Sequence, residues 1–182
     1  NGAKMFITNG TIADYCMVAA YTDRTRRGSG ISLFIVDTKT PGFIVSRKLK
    51  KTGHHTSETA ALTFEDMRVP TSALLGGTEG GFKQVTSTLE GGRVTHAARS
   101  VGVCQAALEA ALGYANQREQ FGQPIAKFQA IKFKLAHMAM ETEIARTMML
   151  KAAWLFDQGP CMKEAAMAKL YASEAAQRVT WE

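Results

Sequence analysis

Four adjacent residues, Glu90 to Arg93, place a carboxylate, two glycines and a guanidinium together inside an otherwise helical pattern. A carboxylate can act as a general base, and glycines allow a ligand or another backbone to approach closely. Each glycine inside a helix costs about 1 kcal/mol relative to alanine. Two in succession need an explanation, and they make this turn a candidate binding segment.

A second candidate is the stretch REQFGQPIAKFQAIKF, where two helical patterns are separated by a Phe-Gly corner. Arg118 lies near the C-terminal end of the first helix, where a cation is favourable. Its guanidinium is suited to paired hydrogen bonds with a phosphate. Gln129 falls in the first turns of the next helix, where free backbone N–H groups favour anions. The corner therefore predicts a phosphate-binding site.

A third candidate is MFITNG, in which a strand pattern ends before a turn. Phe6 supplies a flat ring and Thr8 a hydroxyl, a combination that would suit a planar cofactor. A plain hairpin explains the same residues equally well.

Other chemistries have little support in the sequence. The nucleophile motif G-x-S-x-G is absent, and the four histidines lack metal-ligand spacing. The three cysteines are far apart in apolar surroundings, which indicates buried thiols in a reducing compartment. The net charge of +6 comes from dispersed Lys and Arg, so we expect neither a nucleic-acid partner nor a membrane partner.

The elements that position these candidates fall into two parts. Residues 1–75 contain five short segments with strand composition separated by turn residues, which predicts part of an antiparallel β-barrel or sandwich. Residues 76–182 predict an antiparallel helical bundle, with three helices starting near Gly81, after FGQPI and after DQGP. The stretch VPTSALLGGTEGG is the expected linker, and the fold class is α+β.

The helical part shows apolar residues at roughly helical spacing and a last helix rich in alanine. Small side chains allow helices to approach closely. The spaced residues of the first helix are Val85, Leu89, Val101, Leu108 and Leu112.

Seven segments, in order, are similar to the acyl-CoA dehydrogenase family: MFITNG, GISLFIVDTKTPGF, FEDMRVP, LLGGTEGGFK, LEGGR, REQFGQPIAKFQAIKFKLA and KEAAMAKLYASEAA. The resemblance spans nearly the whole chain and implies part of the family's middle β domain and part of its C-terminal helical domain. It also implies FAD as cofactor, an acyl-CoA thioester as substrate, and α,β-dehydrogenation within fatty acid β-oxidation. A homotetramer built as a dimer of dimers, an electron-transferring flavoprotein as partner, and a bacterial cytoplasmic or mitochondrial matrix location are implied as well.

The resemblance also assigns site residues by position. Arg118 is expected on the pyrophosphate of a neighbouring subunit's FAD, and Thr8 near flavin N5. The cofactor-binding positions are Phe6, Ile7, Thr8, Arg118, Glu119, Gln120, Phe121, Phe128 and Gln129. The positions bordering the acyl-CoA pocket are Glu90, Gly91, Gly92 and Arg93.

No catalytic residue is assigned in this chain. In most of the family the base is a glutamate in an EGT motif beyond Glu182, and in a minority it stands at the position of Gly92. Glu90 lies about 200° around the helix from that position, so we expect it not to be the base. His54 and His55 replace the family's more usual apolar and arginine pair. We therefore expect an internal piece that is inactive alone.

Two alternatives remain open at this point. An acyl-CoA oxidase or related flavoenzyme would keep the flavin and change the oxidant. A non-catalytic helical assembly module would bind no flavin.

Overall fold

The computed structural model describes residues 1–76 and 80–182. Residues 77–79, near the end of the predicted linker, lie outside the described part. The chain forms two compact units, Asn1–Val85 and Thr86–Glu182, and the division falls inside the first long helix.

The first unit contains the five strands that the sequence predicts. They are β1 Gly2–Thr8, β2 Tyr15–Tyr21, β3 Ile31–Asp37, β4 Phe43–Lys48 and β5 Thr59–Phe64. All neighbouring strands pair antiparallel, in one sheet of order β1-β5-β4 and a second made of β2 and β3. Within the described residues the two sheets stay separate and form no closed barrel.

One apolar core joins the two sheets of this unit. Its buried members come from β2, β3 and β5, and they are Val18, Val36, Ala60, Leu62 and Phe64. The alternation of side chains along each strand places these residues on the inner faces. The partial sandwich that the sequence predicts is therefore confirmed.

The second unit is a helical bundle. The helices are α1 Gly81–Gln117, α2 Gln129–Gln158 and α3 Met162–Trp181, and α1 runs without a break through Gly91 and Gly92. Two short strands, β6 Glu119–Gln120 and β7 Gln123–Pro124, form a hairpin between α1 and α2. Gly159 ends α2 with φ +149°, a conformation that favours glycine. The predicted break at DQGP is therefore confirmed.

Small residues form most of the bundle core. Four alanines of α3, Ala165, Ala168, Ala172 and Ala175, are fully buried. The buried side of α1 carries Val94, Ala97, Val101, Cys104 and Leu108. Leu89 and Leu112, which share the apolar spacing in the sequence, are exposed. Helical spacing alone does not distinguish Leu89 and Leu112 from the residues that are buried. Helices approach most closely at small side chains such as alanine and cysteine, and the side of α1 that carries them is the buried one.

A polar cluster ties α2 to α3 at the edge of this core. Arg178 donates to the Glu141 carboxylate from Nη2 at 2.8 Å and from Nε at 3.1 Å, and the Tyr171 hydroxyl donates to Glu141 at 2.9 Å. The hydrogen bonds from Arg178, followed in importance by that from Tyr171, lower the pKa of Glu141 against the opposing effect of burial. Glu141 is therefore held as a carboxylate. In the described part of the chain, no helix combines the length and apolar character that a membrane span requires.

Candidate functional site

The end of β1 presents an aromatic ring on a strained backbone. Phe6 has φ +61°, which is uncommon for a bulky residue, and its side chain is 75% exposed. The pairing register between β1 and β5 shifts between Lys4 and Ile7, so Phe6 lies in a bulge. Bulges re-aim side chains and are frequent near active sites. The structure thus turns a large apolar ring outward, away from the core that Ile7 packs against.

Thr8 completes this strand end. Its side chain is exposed, and it forms no hydrogen bond with any residue in the described ranges. The turn that follows is fixed by the Asn9 N–H, which donates to the Glu58 carbonyl at 2.8 Å. Asn9 itself has φ +59°. The Phe6 ring and a Thr8 hydroxyl without a partner among the described residues therefore stand two residues apart at the end of β1.

The Phe-Gly corner is the tip of the β6–β7 hairpin. Phe121 and Gly122 both have positive φ, +53° and +74°, as a tight two-residue hairpin turn requires. Phe121 is 91% exposed, and its ring meets that of Phe128 edge-on with centroids 6.1 Å apart. The two predicted cofactor-contact aromatics of this corner are therefore neighbours.

Arg118 lies immediately after α1, at the base of the hairpin. Its carbonyl accepts from the Ile125 N–H at 2.8 Å, which fixes the backbone. The guanidinium is exposed and makes no hydrogen bond or ion pair within residues 1–76 and 80–182. An unpartnered guanidinium on a fixed backbone is available to an anion.

Gln129 is the first residue of α2, as expected. Phe128 occupies the N-cap position, and no side chain caps the helix. An uncapped helix start leaves backbone N–H groups and the positive end of the helix dipole available to a negative charge. Arg118 and this helix start flank the hairpin within one unit.

Glu90 is a buried carboxylate that binds the start of α3. Its side chain is only 7% exposed, and Oε1 accepts the backbone N–H of Cys161 at the start of α3. Burial, reinforced by the nearby Glu90 carboxylate, raises the pKa of the Cys161 thiol. That Glu90 borders the acyl-CoA pocket stays a prediction, and its carboxylate is engaged by the Cys161 N–H. No sequence signal near Glu90 points to Cys161, 71 residues away.

The adjacent glycines have separate explanations. A Cβ at Gly91 would lie 3.2 Å from Cζ of Phe156 on α2, closer than ordinary van der Waals contact, so packing against this ring favours glycine there. A Cβ at Gly92 would meet nothing within 4 Å. The contact with Phe156 gives Gly91 a second reason to be glycine, and the interpretation that both glycines lower a pocket wall stays a prediction. Arg93 follows, half-buried and without a hydrogen-bond or ion-pair partner among the described residues.

The substrate turn and the phosphate corner are far apart on one helix. Residues 92 and 118 are separated along α1 and its end by about 39 Å at 1.5 Å per residue. The two segments therefore do not form a single pocket within the helical unit.

A basic groove of about 590 Å³ lies beside the loop that carries His54 and His55. Lys48 pairs with Glu58, and this hydrogen bond is the largest effect lowering the pKa of Glu58. The ring of His55 lies 3.0 Å from the Lys51 carbonyl. Among the described residues, no group of three or more His, Cys, Asp or Glu side chains is arranged to hold a metal ion.

Comparison with protein families assigns both parts of the chain. Residues 1–67 match the acyl-CoA dehydrogenase middle domain, and residues 79–182 match the acyl-CoA dehydrogenase C-terminal domain. The chain belongs to the acyl-CoA dehydrogenase family, which confirms the resemblance noted in its sequence.

Individual relatives agree with this assignment. The probable acyl-CoA dehydrogenase YngJ of Bacillus subtilis is 53% identical over 180 residues, which are 98% of this chain and 47% of YngJ. The structure of butyryl-CoA dehydrogenase from Megasphaera elsdenii has a TM-score of 0.91 and 47% identity, covering all of this chain and 48% of that one. A structure of PigA with FAD and proline has a TM-score of 0.90 and 33% identity, covering 98% of this chain and 47% of that one. The chain thus spans about half the length of the relatives it matches.

Proposed function

We propose that this chain is part of an FAD-dependent acyl-CoA dehydrogenase that oxidises an acyl-CoA thioester to its α,β-unsaturated form. The observation that carries the proposal is the strand end at Phe6 and Thr8. A bulge with positive φ holds an exposed ring there beside an unpartnered hydroxyl. Such strain persists where the surrounding structure enforces it, and it is concentrated at functional sites.

The residues present fit FAD. Phe6 and Ile7 would border the isoalloxazine ring, and Thr8 would donate its hydroxyl toward N5. Arg118 would bind the diphosphate, assisted by the uncapped start of α2 at Gln129. The remaining members of the corner set are Glu119, Gln120, Phe121 and Phe128. The chemistry that FAD supplies when bound is acceptance of a hydride at N5.

Several further assignments belong to the same proposal. The corner would serve the FAD of a second copy in a homotetramer, because it lies about 39 Å along α1 from the substrate turn. An electron-transferring flavoprotein would accept the electrons, in a reducing compartment. We place the boundary between the middle β domain and the C-terminal helical domain at residues 75 and 76, close before α1 begins at Gly81.

The first experiment is to purify the complete protein that contains this chain and record its visible flavin spectrum. Turnover is then measured with butyryl-CoA, chosen because a butyryl-CoA dehydrogenase is 47% identical, and with longer acyl-CoAs. We expect bound flavin and activity that requires an added electron acceptor. Oxygen uptake without an acceptor would indicate an oxidase. Absence of flavin together with salt-sensitive nucleic-acid binding would reject the enzyme.

Arg118→Ala tests the phosphate corner. A hydrogen bond to a charged group contributes about 1.5–3 kcal/mol, so the variant should bind FAD about 13- to 160-fold more weakly. Arg118→Lys should recover part of the loss, because it keeps the charge and loses the paired geometry. Lys169→Ala, which removes an exposed cation from α3, is the matched control. Equal FAD retention by Arg118→Ala and Lys169→Ala after dialysis would contradict the assignment.

A further inference from the structure

Contacts from two other helices hold the turn of α1 that begins at Glu90. The Glu90 carboxylate accepts the Cys161 N–H at the start of α3. The next residue, Gly91, lies under the ring of Phe156 from α2, with 3.2 Å between Cζ and the position of a Cβ. One turn of α1 is thus in contact with both other helices of the bundle.

The Glu90 carboxylate also supplies a hydrogen-bond acceptor at the N-terminus of α3. No side chain of α3 or its flanks caps its first turn, where Cys161 is the N-cap residue. A carboxylate near a helix N-terminus is favoured by the helix dipole and by the free N–H groups. This partner offsets the cost of burying a carboxylate that is only 7% exposed. The bond therefore joins this turn of α1 to the start of α3.

The two residues that follow are free of such contacts. A side chain at Gly92 would meet nothing within 4 Å, and Arg93 has no hydrogen-bond or ion-pair partner among the described residues. They follow directly on Glu90 and Gly91 in the same unbroken helix, whose next buried core residue is Val94.

We propose that Glu90 is a positioning residue for acyl-CoA binding, and this inference rests on the proposed function. Glu90 acts through the Cys161 N–H and the start of α3, with no contact between its carboxylate and the substrate. Through this bond it holds Gly92 and Arg93 at the wall that the acyl-CoA borders.

The test uses the complete, flavin-loaded protein, with rates normalised to flavin content. Glu90→Ala removes the acceptor and should raise KM for butyryl-CoA at least fivefold, with a smaller change in kcat. Glu90→Gln has nearly the same shape and keeps an oxygen acceptor, so it should restore KM to within about twofold of the parent. Phe156→Leu loosens the second contact without touching Glu90 and should also raise KM. Glu109→Gln, an exposed carboxylate on the same helix, is the control.

Hydrogen exchange supplies a readout that needs no activity. Amides in the segment 90–96 should exchange at least tenfold faster in Glu90→Ala than in the parent, and at nearly the parent rate in Glu90→Gln. An unchanged exchange rate in Glu90→Ala would overturn the inference. If Glu90→Ala does not fold, the KM values of Glu90→Gln and Phe156→Leu still test the positioning role of Glu90.

The outcomes separate the two proposals. A lower melting temperature with unchanged KM in Glu90→Ala would leave Glu90 a purely structural residue and reject positioning. A rise in KM for butyryl-CoA as large in Glu90→Gln as in Glu90→Ala would indicate direct contact between the carboxylate and the substrate. That result would also reject the positioning role of Glu90. An unaltered protein without flavin or turnover would reject the proposed function, whatever the exchange rates show about the turn.

Discussion

Gly30 is buried where the 3₁₀ turn Arg24–Gly30 meets β3, and alanine at this position should severely destabilise the β unit. A Cβ there would lie 1.8 Å from the Asp23 carbonyl oxygen, whereas real Cβ atoms essentially never approach a neighbour within 3.0 Å. The two atoms must therefore move apart by about 1.2 Å, from 1.8 to 3.0 Å. Because the obstructing atom belongs to the backbone, no side-chain rotation relieves the clash.

The movement would also disturb hydrogen bonds. The Gly30 carbonyl accepts from the Thr22 N–H at 3.0 Å, the Asp23 N–H at 3.2 Å and the Thr22 hydroxyl at 3.2 Å. Overpacking costs about 1–3 kcal/mol, and one lost hydrogen bond adds about 1 kcal/mol. We therefore expect Gly30→Ala to reduce the unfolding free energy of the β unit by about 2–4 kcal/mol.

Native-state hydrogen exchange of the complete protein measures this loss locally. Amides of β2 and β3 that exchange through unfolding of the unit should exchange about 30- to 1,000-fold faster. Amides of α2 and α3, which lie in the helical unit, follow that unit separately in the same experiment. Gly53→Ala is the matched control, because its Cβ would meet nothing within 4 Å. Exchange in Gly30→Ala as slow as in Gly53→Ala would refute the steric argument.

Two further predictions concern the helical unit. Glu141→Gln should destabilise it by about 1 kcal/mol at pH 7, because the paired hydrogen bonds from Arg178 are partly exposed and screened. Since folding lowers the pKa of Glu141, this contribution is complete above the ordinary glutamate pKa of about 4.3 and disappears as the pH falls through the lower folded value. Denaturant titrations at several pH values, with Glu143→Gln as control, check the trend, and a difference that persists in strong acid would contradict it. Ala168→Leu should cost about 1–3 kcal/mol, because Ala168 is fully buried in the bundle core. The measurement is the melting temperature of Ala168→Leu, compared with that of Ala166→Leu, in which the substituted residue is exposed. Equal melting temperatures of the two variants would contradict tight packing around Ala168.

Much of the architecture was predictable because it depends on neighbours along the chain. The five strand patterns, the helix start at Gly81 and the break at Gly159 follow from residue composition and turn chemistry. The seven family segments led to the same assignment as the family comparison, since each is a local stretch of residues. The Phe-Gly corner likewise needs only two residues with positive φ to form its turn.

The side-chain environments at the candidate sites required contacts between distant residues. Helical spacing in α1 includes Leu89 and Leu112, yet both are exposed while Ala97 is buried, because the close packing of small residues selects the inner face. The outward turn of Phe6 depends on the register of β1 against β5, which no residue near Phe6 specifies.

Glu90 and Gly91 show most clearly what the local sequence determines and what depends on contacts between distant residues. Their residue types in a helical pattern identify a turn of special chemistry, because adjacent glycines carry a cost inside a helix wherever they occur. Their partners, Cys161 and Phe156, are brought to them by the packing of α2 and α3 against α1. Local interactions specify which residues form helix, strand and turn, whereas the burial of a carboxylate depends on a donor that arrives only when the bundle assembles.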